Sequence, residues 1–270
     1  MSEFIDLIKN EKYNELIDLT TSVLKNDPDD LNALYYRGKA YYYLNELDKA
    51  EKDFDSCLRI NDGFALAYTS KTLARMLQFP HTGTDEEDMY NDAVKAAKID
   101  PDNPAVHFET GVFLAFMCDA AAMDSYTKAI ELNPVYADAY YNRGLLKSNA
   151  GDHEGAVKDY TKAIEIDKTY SKAYHNRATD KGKLHDHKGA IEDYTFCIEL
   201  EGDACISYFD RATEFAKVHE FDNATADLEH FIKMRSDPYR LKKAKRLIGF
   251  YKFIKKFKNK TIINFLMKFV

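Results

Sequence analysis

The segments "AYYNRG" (139–144) and "AYHNRA" (173–178) are near copies of one another. Extended outward, they become two adjoining blocks of equal length, "ADAYYNRGLLKSNAGDHEGAVKDYTKAIEIDKTY" (137–170) and "SKAYHNRATDKGKLHDHKGAIEDYTFCIELEGDA" (171–204). In each block, apolar and small residues recur at three- and four-residue intervals in two runs. A short polar stretch, "AGDHEG" or "KLHDHKG", separates the runs. That periodicity predicts helix, turn, helix. A helix pair of this size cannot bury its apolar face alone, so a chain that repeats it builds its core by stacking. Where helix axes approach closely, only Gly or Ala fits. The period is therefore a packing constraint.

The register runs in both directions. Block 137–170 places Tyr140 and Gly144 in the first helix and Ala156, Tyr160 and Ala163 in the second. Block 171–204 has Tyr174, Ala178, Ala190, Tyr194 and Cys197 at those places. Residues 31–64 supply Gly38, Ala50, Phe54 and Cys57. Residues 104–136, one residue short, supply Gly111, Ala122, Tyr126, Ala129 and Pro134, and residues 205–238 supply Tyr208, Ala212, Ala224 and Leu228. Residues 1–30 form a copy with a short first helix, closed by Pro28. Residues 65–103 carry about five extra residues in "LQFPHTGTDEEDM" and end with Pro101. This pattern resembles the tetratricopeptide repeat, whose 34-residue signature has these small and aromatic positions and a terminal proline. The resemblance covers residues 1–238. It implies an all-α fold, a right-handed α-solenoid of about seven helix-turn-helix repeats (1–30, 31–64, 65–103, 104–136, 137–170, 171–204, 205–238). Residues 239–270 then form a basic amphipathic capping helix and an apolar tail.

Composition agrees. With 11 Gly, 6 Pro and no Trp in 270 residues, breakers are too scarce for a many-turned β fold. The net charge of −7 is unevenly placed. Residues 239–270 hold 11 Lys/Arg and no acid, leaving 27 basic against 45 acidic residues elsewhere, a net of −18. Cys57, Cys118, Cys197 and Cys205 show no metal-ligand spacing and read as cytosolic thiols, with Cys57 and Cys197 at core positions. The start, "MSEFIDLIKNEKYNELIDL", lacks the basic end and apolar run of a secretory signal. No run reaches the roughly 18–20 apolar residues that span a bilayer. A cytoplasmic protein is expected. The acidic "TDEEDMYND" is expected to start the second helix of the irregular repeat, with Thr84 or Asp85 as its cap.

Two further regularities follow the register. Arg37, Arg143, Arg177 and Arg211 share one first-helix position, and Asp53, Asp159, Asp193 and Asp227 follow them at one constant spacing. They predict a structural ion-pair ladder, within or between repeats, worth about 0–1 kcal/mol per rung if exposed. His153 and His187 are separated by one repeat period, as are His185 and His219, with Asp152, Asp186 and Glu220 nearby in the same loops. Stacking would align them along one edge. The competing readings are a polar loop position and a metal or pH-sensitive row, and the polar loop position is preferred.

No GxGxxG, P-loop, GxSxG or HExxH motif is present, so no enzyme, cofactor or metal is expected. The resemblance implies a protein-protein interaction scaffold, in which first helices line a concave groove for a peptide or a partner's helix. In register, that groove would carry Tyr35, Tyr36, Lys39 and Tyr43, then Phe108 and Glu109, then Tyr141, Asn142, Lys172, His175, Asn176, Phe209 and Asp210. Tyrosine offers large contact area at low entropic cost, and Asn can bind a peptide backbone bidentately. Some family members act as co-chaperone adaptors through a carboxylate clamp. Here Asn142 and Lys172 match two of its five positions, while Phe108, Val112 and Asn176 depart from it. The tail offers an alternative function. Leu241, Ala244, Leu247, Ile248, Tyr251 and Ile254 form one helical stripe opposite Lys/Arg, and "TIINFLMKFV" follows. This segment either docks on the last repeat or attaches the scaffold to an anionic membrane surface. Nothing resembles a nucleic-acid-binding module.

Overall fold

The computed structural model describes residues 2–78, 86–201, 205–234, 238–257, 263 and 266–268. Among them are fifteen helices and no strand. The chain divides into two compact units, Met1–Val135 and Tyr136–Val270. The first holds α1 (Ser2–Lys9), α2 (Tyr13–Asn26), α3 (Leu31–Tyr43), α4 (Leu47–Ile60), α5 (Ala65–Gln78), α6 (Glu86–Ile99), α7 (Pro104–Phe116) and α8 (Ala121–Leu132). The second holds α9 (Ala137–Asn149), α10 (His153–Ile166), α11 (Ser171–Lys183), α12 (His187–Glu201), α13 (Cys205–Lys217), α14 (Phe221–Lys233) and α15 (Pro238–Ile254). These are the seven expected helix pairs and the terminal helix. Thr84 and Asp85, the expected caps of α6, lie outside the described residues.

The boundaries have local causes. Asp30 accepts from the Ala33 amide at 2.8 Å, and Asp152 from Gly155 at 2.9 Å. Asn103 caps α7 with Pro104 at the first turn. The turns inside six of the pairs, those among the described residues, each hold one left-handed residue. Glu11, Asn45, Cys118, Gly151, His185 and His219 fill that place, with φ between 56° and 84°. Only one is glycine, the residue for which this conformation carries no steric cost.

Within each unit, a second helix packs on its own first helix and on the next first helix, as α4 does on α3 and α5, and α12 on α11 and α13. The small residues sit where an aromatic ring of the paired helix arrives. A Cβ built on Gly38 would lie 2.7 Å from Phe54, on Gly111 2.8 Å from Tyr126, and on Gly144 2.7 Å from Tyr160. Phe54, Tyr126 and Tyr160 are themselves fully buried. Gly144→Val is therefore expected to cost about 1–3 kcal/mol through overpacking. Gly249→Ala, at a helical site with nothing within 4 Å, is expected to stabilise by about 0.8–1 kcal/mol. Thermal melts of the two variants check the contrast.

All four Arg–Asp rungs form, each inside one helix pair and each bidentate. Arg177 Nε and Nη2 donate to Asp193 at 2.7 and 2.6 Å, and Arg37, Arg143 and Arg211 repeat the fork on Asp53, Asp159 and Asp227 at 2.7–2.8 Å. All four aspartates are buried, so the small value of an exposed pair does not apply to these rungs. The paired helices bring the aspartate under the guanidinium, and a first-helix aromatic covers three of the arginines, Tyr140, Tyr174 and Tyr208 lying within 5.7 Å of Arg143, Arg177 and Arg211. Two rungs also tie neighbouring repeats, because Arg177 and Arg211 donate to Thr161 and Thr195 of the preceding pair at 3.1 and 2.9 Å. Buried Cys57 and Cys197 occupy core positions. Burial, with Asp53 beside it, pushes the Cys57 thiol up to about 12.

Helix α15 caps the second unit. Ala244, Leu247, Tyr251 and Ile254 are buried against a cluster that includes Phe209, Phe221, Leu228 and Phe231, with Leu241 and Ile248 at its margin. Of the tail, Ile263 is buried in the same cluster, and Leu266 and Met267 pack on it.

Candidate functional site

The thirteen groove positions fall into two settings, one per unit. In the first unit, Tyr35 is buried, its ring 5.2 Å from Phe64 and its hydroxyl 3.5 Å from Ser70 Oγ. Burial raises its pKa well above the usual tyrosine range. Tyr36 lies 5.6 Å from Phe4, and Tyr43, 45 % exposed, stacks on Tyr13 at 5.0 Å. Lys39 and Glu109 pair with each other: Lys39 Nζ donates to Glu109 Oε1 at 2.8 Å, with side-chain exposures of only 12 % and 9 %. Thr69 and Ser70 donate to Glu109 Oε2 at 2.5 and 3.0 Å. Tyr42 and Tyr43 flank the ammonium, each ring centre 5.6 Å away. Burial alone would lower the Lys39 pKa. The Glu109 carboxylate, together with the neighbouring Tyr35 and Tyr43, offsets it and holds the group well above the ordinary lysine value. Three first helices, α3, α5 and α7, are thus joined by one buried network. Phe108 lies over Tyr126 at 6.0 Å.

In the second unit, four of the positions line one cleft of about 400 Å³: Tyr141 from α9, and Lys172, His175 and Asn176 from α11. Its far wall is Cys197 and Glu201 of α12 with Cys205, Ile206 and Ser207 at the start of α13. Asn176 Nδ2 donates to the Tyr141 hydroxyl at 2.9 Å, which fixes both groups across two repeats. Lys172 is exposed, and Glu201 accepts from Ser171 at 2.5 Å. His175 Nδ1 meets Ser207 Oγ at 2.9 Å, and its Nε2 lies 3.7 Å from Asp210. Burial lowers the His175 pKa and raises that of Asp210, so both are pushed toward their neutral forms. Ser207, His175 and Asp210 are the residue types of an acyl-transfer triad. Their arrangement is that of a polar seam: Ser207 is 3 % exposed, and its hydroxyl also meets Cys197 Sγ at 3.3 Å. Two positions lie outside the lining of the cleft. Asn142 donates to Asp138 O of its own helix at 2.8 Å. Phe209 is a core residue, packed 5.1 Å from Phe231 under α15 with Lys243 5.6 Å above its ring. The cap covers what the register alone would leave open.

The histidine row is divided by the structure. His153 Nδ1 lies 2.9 Å from Asp180, and His187 Nδ1 2.8 Å from Glu214. His187 thereby hydrogen-bonds a second helix to the next first helix, whereas His153 Nδ1 approaches Asp180 without hydrogen-bond geometry. His185 and His219 instead hold the left-handed turn position. Among the described residues, no group of three or more His, Cys, Asp or Glu is placed to hold a metal ion. Sequence reasoning missed Asp180 and Glu214, although they too are separated by one repeat period. It also missed the α12 and α13 wall of the cleft, which no motif marks.

Comparison with known proteins places this geometry. Profiles described as tetratricopeptide repeat match residues 31–64 and 137–170, and one described as TPR repeat matches 119–151. The chain is 31 % identical over 164 residues to the DnaJ protein P58IPK homolog B of Oryza sativa subsp. japonica, a match spanning 56 % of this chain and 35 % of that protein. The chain thus spans about a third of the length of this relative. Among solved structures, Cut9–Hcn1 of the APC/C superposes with a TM-score of 0.72 at 13 % identity, over 92 % of this chain and 48 % of that one. YrrB, described as a TPR protein with an unusual peptide-binding site, gives 0.50 at 18 % identity over 70 % and 95 %. With these stretches matched and its helices paired in the expected period, the chain carries tetratricopeptide repeats at residues 31–64 and 119–170.

Proposed function

We propose that this protein is a non-enzymatic interaction module that binds a peptide or partner protein on the first-helix face of its second unit. The observation that carries the reading is the cleft, where Tyr141, Lys172, His175 and Asn176 converge from two repeats. It offers an exposed ammonium, an amide and a tyrosine held in fixed orientation, and the apolar edge of Ile206, half exposed. Rigid aromatic and amide groups of this kind recognise a polypeptide at small entropic cost. The P58IPK likeness and the peptide-binding site named for YrrB support the same class of ligand. In the first unit, Lys39 and Glu109 are engaged with each other, which leaves the Tyr36 and Tyr43 rings as its contribution to recognition. Free thiols at all four cysteines suit a cytoplasmic setting.

Attachment of the tail to a membrane is the weaker reading, because Ile263, Leu266 and Met267 pack within the second unit. Among the described residues, no helix is long and apolar enough to cross a bilayer.

The test is selection of a displayed random-peptide library on the full chain, followed by affinity measurement on the selected peptides. Lys172→Glu and Tyr141→Ala are each expected to weaken them about tenfold or more, as hot-spot losses do. Peptides that bind both variants as well as wild type, or a library that yields none, would sink the reading.

A further inference from the structure

The solvent face of α15 forms an exposed stripe outside the cleft. Ala244, Leu247, Tyr251 and Ile254 are buried on one side. At 3.6 residues per turn, the opposite side carries Tyr239, Lys242, Lys245, Arg246, Gly249 and Phe253, and Lys256 follows in the turn after the helix. All seven are exposed. Tyr239 at 76 % and Phe253 at 49 % bracket most of the charge. Among the described residues, Lys242, Lys245, Arg246 and Lys256 form no ion pair. The acids on the neighbouring helix, Glu229 and Asp222, are taken by Lys252 and Lys255.

We propose that this stripe is a docking surface for a short acidic polypeptide segment carrying an apolar or aromatic residue. Its dimensions and surroundings favour that partner. From Tyr239 to Phe253 the stripe is about 20 Å long and one helix wide, the footprint of a few turns of helix or a short extended strand. The stripe carries Lys242, Lys245, Arg246 and Lys256 and no acid, which complements the charge of an acidic segment. The apolar face that a membrane-bound helix would insert is already occupied by Phe221, Leu228 and Phe231. Tyr239 and Phe253 give the segment two rings against which to bury an apolar side chain.

The experiment is fluorescence anisotropy with a labelled peptide of Glu-Glu-Phe repeats titrated with the full chain. Binding is expected to weaken at least about tenfold in the Lys242→Glu, Arg246→Glu, Lys256→Glu variant, and several-fold in Phe253→Ser, which leaves the charge intact. A Lys52→Glu, Lys158→Glu, Lys188→Glu variant, with the same change of net charge at exposed sites elsewhere, is expected to bind as wild type. Equal loss in both triple variants would reduce the effect to net charge and overturn the proposal. So would a peptide that fails to bind wild type while phosphatidylserine vesicles or duplex DNA do.

Discussion

Replacing Glu109 by Ala is expected to lower the stability of the first unit by about 3–5 kcal/mol, the usual consequence of stranding one member of a buried ion pair. The ammonium of Lys39 would remain between Tyr42 and Tyr43 with its carboxylate gone, and the hydroxyls of Thr69 and Ser70 would lose their acceptor. The stranded charge, more than the lost attraction, sets the size of the effect. A Lys39→Met, Glu109→Leu chain should therefore recover most of the loss, because it removes both charges and leaves apolar volume. Urea unfolding of the three proteins measures this. A Glu109→Ala midpoint equal to wild type would show that the pair does not hold α3, α5 and α7 together. The pH dependence has a definite sign. The folded-state pKa of Lys39 is raised, so its contribution is fully present below the unfolded value, near 10.4, and is lost as pH climbs through the higher folded one.

The second large effect concerns the Arg–Asp ladder, and it should differ between rungs. Asp159 and Asp193 each have a second cation, Lys147 at 2.7 Å and Lys181 at 2.8 Å. One helical turn after Arg37 and Arg211, where those lysines stand in the other repeats, the chain has Tyr41 and Phe215 instead. Arg211→Ala is thus expected to cost about 3–5 kcal/mol, since buried Asp227 loses its guanidinium. Arg177→Ala is expected to cost about half of that, because Lys181 still neutralises Asp193. Arg211→Lys should recover only part of the loss, as an ammonium cannot make the planar two-bond fork and also reach Thr195. Thermal or urea unfolding ranks the variants. If Arg177→Ala and Arg211→Ala proved equal, the lysines would have no share in the rungs.

The repeat period was legible because it is a local rule. Each helix pair packs by the same small-against-aromatic contacts, Gly38 on Phe54 and Gly144 on Tyr160, so the residues that make the contact must recur with the pair. The ladder was legible for the same reason: its Arg and Asp keep one spacing and meet across the turn of a single helix pair. Its energetic class was not, since burial of the aspartates depends on neighbouring rings and repeats.

The candidate surface was legible in part. Tyr141, Lys172, His175 and Asn176 share one face by register and line one cleft in the fold, but register could not say which positions the fold would use internally. Lys39 and Glu109 belong to different repeats, with an irregular one between them. Their meeting depends on α5 packing directly against α7 as well as against α4 and α6. Phe209 was lost to the core because α15 folds over it. The sequence by itself determined the helix pairing, its period and the ion-pair register, all set by contacts between adjacent segments. Only the tertiary structure decided which polar groups remain available to a partner. That depends on how charges and apolar faces distant in the chain satisfy one another when water is excluded.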